Sequence, residues 1–221
     1  MSPLAIAVRA REAGVDIVGI SDHNAAENVA AALEAARRYG LHVLPGMEVT
    51  SAEEVHVLAL FDATGPARKL QEEVYRHLPG ENDEETFGMQ VVASADDEVL
   101  GFNPHLLIGA TTLGLEDVVQ IIHALDGLAI AAHIDRDSFS LVSQLGFIPD
   151  DLDLDALEIS HRISYEQAMR LHAPVLPLIQ SSDAHRPEEI GRCRTELLIG
   201  APCIDEIRKA LRGEDGRRIV R

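Results

Sequence analysis

The stretch that most constrains this chain is residues 42–61, HVLPGMEVTSAEEVHVLALF. Val49 and Ser51, then Val55 and Val57, keep the period of two expected of a half-buried ribbon, and the charged Ala52-Glu53-Glu54 segment between them reads as its turn. Glu48 and His56 interrupt the apolar pattern on opposite arms. Cross-strand neighbours come within about 5.5 Å of each other, so a carboxylate and an imidazole so placed can face one metal ion. Either residue alone is equally compatible with a solvated strand end or a hydrogen-bonded core histidine. The rest of the chain decides between these readings.

In chain order, Ser2 and Pro3 open a helix with Leu4, Ala7, Val8 and Arg11 at helical spacing, and Gly14 closes it. The apolar run Asp16-Ile17-Val18-Gly19-Ile20 is a strand that delivers Ser21-Asp22-His23-Asn24 at its C-terminal end. Asn24 and Glu27 resemble a capping box ahead of a helix with Val29, Ala32, Leu33 and Ala36 on one stripe. Beyond the ribbon, Gly65-Pro66 opens a helix that ends at Pro79-Gly80. Residues 80–113 then break the regular order; Met89 to Ala93 and Val99 to Phe102 read as a hairpin insertion facing the substrate. Helix 115–126 and the buried strand 128–132 present His133. Residues 138–145 form a loop and short helix, 155–159 a strand, and Ser164 with Gln167 caps a further helix. The strand Val175 to Ile179 presents Ser181-Ser182-Asp183-Ala184-His185; another strand spans 195–199, and a last helix follows Pro202.

Composition narrows the function classes. A length of 221 residues suits one α/β-barrel domain, here residues 1–221 with the insertion at about 80–113, and 46% hydrophobic content supplies its core. The absence of Trp, an aromatic share of 4% and a net charge of −18 argue against stacking on bases and against long nucleic acid as a partner. Cys193 and Cys203 fit neither a metal spacing nor a disulfide framework, and there is neither a leader sequence nor an apolar run of about 18 residues. A soluble, reduced, cytoplasmic protein with no membrane partner is expected.

The unusual residues fall at related places. Asp22-His23, Glu48, His133 and Asp183-x-His185 each stand at the C-terminal end of an expected strand, and in a closed parallel barrel those ends share one face. Histidine and carboxylate without cysteine suit Zn²⁺, Mn²⁺ or Fe²⁺. Asp183 and His185, two apart, point to the same side of an extended chain.

These residues resemble a known family. Ser21-Asp22-His23-Asn24, Pro45-Gly46-Met47-Glu48 with His56, Ala131-Ala132-His133 and Ser182-Asp183-Ala184-His185 look like motifs two to four of the polymerase and histidinol phosphatase (PHP) family of metal-dependent phosphoesterases. The resemblance runs from the first helix to about residue 200. It implies a distorted, TIM-like (β/α)₇ barrel with up to three divalent ions at its C-terminal face. It makes Glu48 the carboxylate shared by the first two ions, with His56 and His133 completing the second and Asp183 on the first. His23 and His185 would hold the third ion, with Asp22 as ligand or orienting acid. Glu48, His133 and Asp183 become the catalytic centre of a two-metal hydrolysis of a small phosphorylated substrate, a nucleotide or similar. Arg136 and Arg186, each one to three residues past a ligand, become candidate phosphate clamps, since guanidinium matches phosphate bidentately.

The family's first motif, a His-x-His pair at the end of the first barrel strand, has no counterpart in this sequence. Two expectations follow. Either the start lies upstream of Met1, or the chain is a truncated PHP domain that serves as a catalytically weak metal- or nucleotide-binding module. The first is favoured because an open barrel leaves strand edges unpaired.

Overall fold

The computed structural model describes residues 1–172 and 176–220. Helix α1 (Pro3–Glu12) leads into β1 (Ile17–Ile20), α2 (Val29–Arg37), β2 (His42–Thr50) and β3 (His56–Leu60), and α3 (Thr64–His77) follows. An excursion carries the short helix α4 (Glu84–Phe87) and the strands β4 (Val91–Ala93) and β5 (Val99–Phe102). The regular order resumes with α5 (Leu115–Ala124), β6 (Leu128–Ala131), α6 (Leu141–Leu145), β7 (Ala156–Ile159), α7 (Tyr165–His172) and β8 (Leu178–Gln180). The chain closes with β9 (Leu197–Leu198), α8 (Ile204–Arg212) and β10 (Arg218–Ile219). Of the strand expected over 175–179, residue 175 lies outside the described residues.

Six strands make one curled sheet in the order β1-β2-β3-β6-β7-β8. β1 runs parallel to β2, and β6, β7 and β8 are mutually parallel, whereas β3 is antiparallel to both of its neighbours. β1 and β8 do not pair with each other, so the barrel expected without its first strand is an open half-barrel. The antiparallel β3 corrects the picture of an all-parallel barrel. His56 opens β3 rather than ending it, and the reversed direction is what brings it to the same rim as the C-terminal ends of the other strands.

Alternation of side chains separates the two faces of the sheet. Val43, Met47 and Val49 of β2, Val57 and Ala59 of β3 and Ala129 and Ala131 of β6 point outward, where α1, α2, α3 and α5 cover them in the main core. Leu44, Leu58, Leu60, Leu128, Ile130, Ala156 and Ile179 point inward to a smaller cluster floored by Ile204, Ile207 and Leu211 of α8. Gly46 marks the point where β2 stops pairing with β1 and starts pairing with β3. A Cβ there would stand 2.5 Å from the Ala59 carbonyl oxygen and 2.9 Å from that of Ile20, so only glycine lets the three strands approach.

The inward face does not close. Between β1 and β8 lies a cleft of about 1100 Å³ that reaches from α8 to Asp22, His23, Glu48, Asp183 and His185 at the rim. Part of the β8 edge is bound by side chain instead of strand: the Thr195 hydroxyl accepts from Gln180 N at 2.8 Å and donates to Gln180 O at 2.9 Å. No described helix is long and apolar enough to cross a membrane.

Candidate metal centre

Glu48 projects inward from β2, two residues before its end, and lies next to His56 across the antiparallel β2–β3 ladder, whose register pairs Thr50 with His56. His133 arrives just past β6. Continued alternation would send it outward with Ala129 and Ala131, but its φ of +30° turns the chain back toward the rim. A histidine in this region of φ is strained, and such residues persist where the surroundings fix them. Here the His133 amide donates to Glu158 Oε2 at 3.2 Å, and the Ser181 hydroxyl donates to Glu158 Oε1 in a short hydrogen bond. Glu158 thus ties the ends of β6, β7 and β8 together from 2% exposure. Sequence reasoning missed this residue, although a lone acid inside the apolar run Ala156-Leu157-Glu158-Ile159 was the signal for it.

Three donors meet at one point. His56 Nδ1 stands 3.2 Å from His133 Nε2 and 3.3 Å from Glu48 Oε1, and His133 Nε2 is 3.5 Å from the same oxygen. A tetrahedral ion bound at 2.0–2.1 Å has ligand-to-ligand edges of about 3.3 Å, so the three atoms outline one face of such a tetrahedron. The other Glu48 oxygen, Oε2, lies 3.2 Å from His23 Nδ1, without the alignment of a hydrogen bond. One carboxylate therefore faces the His56–His133 pair with one oxygen and His23 with the other. His23, Glu48 and His56 together also form a compact group able to hold an ion.

The remaining expected residues gather around this core less tightly. His185 packs its ring 6.2 Å from that of His23, and its Nδ1 is 3.7 Å from Asp183 Oδ1. Its side chain is 60% exposed, against 3% for His133. Asp22 accepts from the Asn28 amide at 3.3 Å. Arg136 forms an ion pair with Asp183 rather than standing free as a clamp, and Arg186 is exposed on the loop past His185.

The expected capping box at Asn24 is replaced by another device. Asn24 has φ +49°, and α2 starts five residues later, at Val29 behind Asn28. The Asn24 amide donates to Leu107 O and Gly109 O at 2.9 and 2.8 Å, and its oxygen accepts from Thr50 N at 3.1 Å. It fixes the last part of the excursion, at Leu107 and Gly109, against the end of β2. A polar residue after a strand looks like a helix cap in sequence, and only the third dimension supplies the alternative partners.

Burial and neighbours set the charge states. Burial raises the Glu48 carboxyl, but hydrogen bonds from His133 and His56 and the charges of His56 and His23 outweigh it and hold the group well below the usual carboxylate range. Glu158 goes the other way: burial, reinforced by Glu48 and Asp183, pushes it up to about 8 despite the bond from His133 N. Burial also raises Asp22 and lowers His23. The centre therefore pairs an anionic Glu48 with a neutral Glu158 that holds the His133 backbone, which suits cation binding at the one and a hydrogen-bonding support at the other.

Comparison with known proteins bears on the fold. A family model described as PHP-associated matches residues 161–215. The structure aligns with the lesion-specific endonuclease PfuEndoQ of Pyrococcus furiosus at a TM-score of 0.65 and 20% identity, covering 99% of this chain and 53% of that one. It also aligns with a two-domain Bacteroides vulgatus protein that contains a predicted PHP-like metal-dependent phosphoesterase, at a TM-score of 0.54 and 16% identity over 95% of this chain and 57% of that one. The chain carries a PHP-type fold. Among curated proteins, the uncharacterized protein YqxK of Bacillus subtilis (strain 168) is 34% identical over 118 residues, which make up 50% of this chain and 29% of that protein. The chain thus covers about half the length of the endonuclease and under a third of YqxK.

Proposed function

We propose that this PHP-type chain is a metal-dependent phosphoesterase that acts on a small phosphorylated substrate in a reducing, cytoplasmic setting. The observation that carries the reading is the meeting of His56 Nδ1, His133 Nε2 and Glu48 Oε1 at mutual distances of 3.2, 3.3 and 3.5 Å. These three residues would hold one divalent ion, with Glu48 Oε2, His23, Asp22, Asp183 and His185 offering ligands for others. Such ions supply Lewis acidity toward a phosphoryl oxygen and lower the pKa of water toward neutrality. The protein's own groups do the rest. Glu158 fixes the His133 backbone through a hydrogen bond, and Arg136 orients Asp183 through their ion pair. Arg186, exposed at the rim, is free to take a phosphate oxygen pair.

The small-substrate reading rests on charge. A net charge of −18 repels an extended phosphate backbone. The likeness to a lesion endonuclease supplies the competing substrate, so the experiment includes it. Protein loaded separately with Zn²⁺, Mn²⁺ and Fe²⁺ would be offered mononucleotides, nucleotide bisphosphates, histidinol phosphate and a duplex with an abasic site. Hydrolysis of a small ester that is lost on chelation is expected. Cleavage of the duplex alone would replace the small-substrate reading, and tight metal binding without turnover on any member would favour the binding-module reading.

A further inference from the structure

The excursion between residues 79 and 113 has a surface unlike the rest of the molecule. It carries seven acidic residues and no Lys or Arg; the nearest basic residues along the chain are Arg76 and Arg136. Three of the acids have internal work: Asp83 caps α4, Asp96 pairs with Arg38, and Asp97 accepts from the Ser2 hydroxyl and Leu4 N at the start of α1. Glu81, Glu84, Glu85 and Glu98 have no ion-pair partner among the described residues. Amid these charges stand large apolar side chains in solvent: Phe87 is 51% exposed, Met89 64%, Leu100 67% and Phe102 50%. Phe102 lies directly opposite Val91 and Val99 opposite Ala93, with Leu100 the extra residue of a β-bulge between Val99 and Gly101.

The two edges of this hairpin are treated differently. The outer edge of β4 is taken by a side chain: Asn28 donates to Val91 O at 3.1 Å and accepts from Ala93 N at 2.9 Å. β5 has no second strand partner among the described residues, so its outer backbone groups face away from the protein beside Leu100 and Phe102. An exposed apolar edge strand is a template for another strand. Proteins often blunt such an edge with lysine; β5 carries a bulge but no Lys or Arg of its own, and the charges along the excursion itself are all negative.

We infer that the β5 edge is a docking strand for an extended segment of a partner protein that alternates apolar residues with Lys or Arg. Backbone pairing supplies the attachment, Leu100 and Phe102 the apolar contact, and Glu84, Glu85 and Glu98 the choice of a basic partner. Charge rules out the competitors on the same grounds. A second copy would bring the same acids to the edge, and nucleic acid or an anionic membrane would meet only negative charge.

The test uses the full chain and three synthetic ten-residue peptides in which Val and Phe alternate with Lys, Ser or Glu, followed by fluorescence anisotropy. The Lys peptide should bind at least tenfold more tightly than the Glu peptide in 50 mM salt, and that preference should shrink as salt rises. Methylating alternate backbone nitrogens of the Lys peptide should weaken it at least tenfold, as should the double substitution Leu100→Ser and Phe102→Ser. The triple substitution Glu84→Gln, Glu85→Gln and Glu98→Gln leaves the hairpin core untouched. It should lower affinity and flatten the salt dependence even if the serine variant folds poorly. Equal binding of the Lys and Glu peptides, no binding of any peptide, or indifference to backbone methylation would overturn the inference. So would sedimentation showing a dimer that the serine substitutions abolish, since that would assign the edge to self-association.

Discussion

The two halves of the centre are built on different principles. Glu48, His56 and His133 come from β2, β3 and β6, three neighbouring strands in the interior of the sheet, and their side chains are 6, 9 and 3% exposed. Asp22, His23, Asp183 and His185 come from the ends of β1 and β8, the two strands that border the open cleft. The inner half is positioned by continuous ladders and packed on both sides, so its donors meet with little freedom. The outer half is less uniform: Asp22 and His23 keep backbone pairing to β2 through the His23–Glu48 bridge, whereas Asp183 and His185 lie past the short β8 and rely on local bonds such as Arg136 to Asp183. The difference teaches that preorganisation for a cation follows strand pairing more than residue type, because both halves use the same two kinds of side chain.

The largest effect should come from breaking the inner half. His133→Ala should remove the most tightly held ion and lower phosphoesterase activity by several orders of magnitude, read by elemental analysis and initial rates. Retention of both ion and rate would show that the inner half is not the centre. His185→Ala should sharpen the contrast. The inner ion should remain, while activity falls by about 10- to 100-fold. Loss of all metal in that variant would mean that the halves bind as one unit.

Removing metal should cost stability through the same ligands. An ion present at 100 times its Kd adds about 2.7 kcal/mol to the folded state, so chelation should lower the melting temperature by about 5–10 °C in a domain of this size. The drop should nearly vanish in His133→Ala but persist in His185→Ala. A full drop in both variants would erase the distinction between the halves.

The smallest effect is a matter of pH and concerns the support behind the inner half. Glu158 has a folded-state pKa of about 8 against an ordinary value of 4.5, so between those values the folded state binds more protons than the unfolded chain. Its contribution is complete below about pH 4.5 and is lost as pH rises through about 8. Glu48, held low, has the opposite sign and loses its contribution as the solution turns acid. Metal-free Glu158→Gln, which keeps an acceptor for His133 N and carries no titrating proton, should melt with a flatter profile from pH 5 to 8 than the parent. An unchanged slope would remove Glu158 from that role.

Much of this was legible in the sequence because apolar runs and polar interruptions carry their own geometry. The run 128–132 announced a buried strand, and β6 occupies 128–131; the ribbon around Glu48 and His56 formed with its turn at 52–54. The hairpin at 91–102 and the Ser164–Gln167 exchange also follow from local patterns. What escaped depended on partners distant in sequence. Asn24 reads as a cap until Leu107 and Gly109 are seen beside it, and nothing local in the sequence announces the ion pair of Arg136 with Asp183. The reversed direction of β3 was implicit in its hairpin with β2, but its insertion between β2 and β6 depends on packing that no single stretch encodes.

That reversed strand also limits how such a chain can change its length over evolutionary time. His56 reaches Glu48 only because five residues, 51–55, separate the Thr50–His56 pair from which the ladder starts. One residue gained or lost there, if carried into the ladder, would turn His56 to the helix-covered face, and two would slide it one pair along the rim. The turn acts as a fixed spacer, so insertions and deletions should collect in the 79–113 excursion and leave residues 51–55 at constant length.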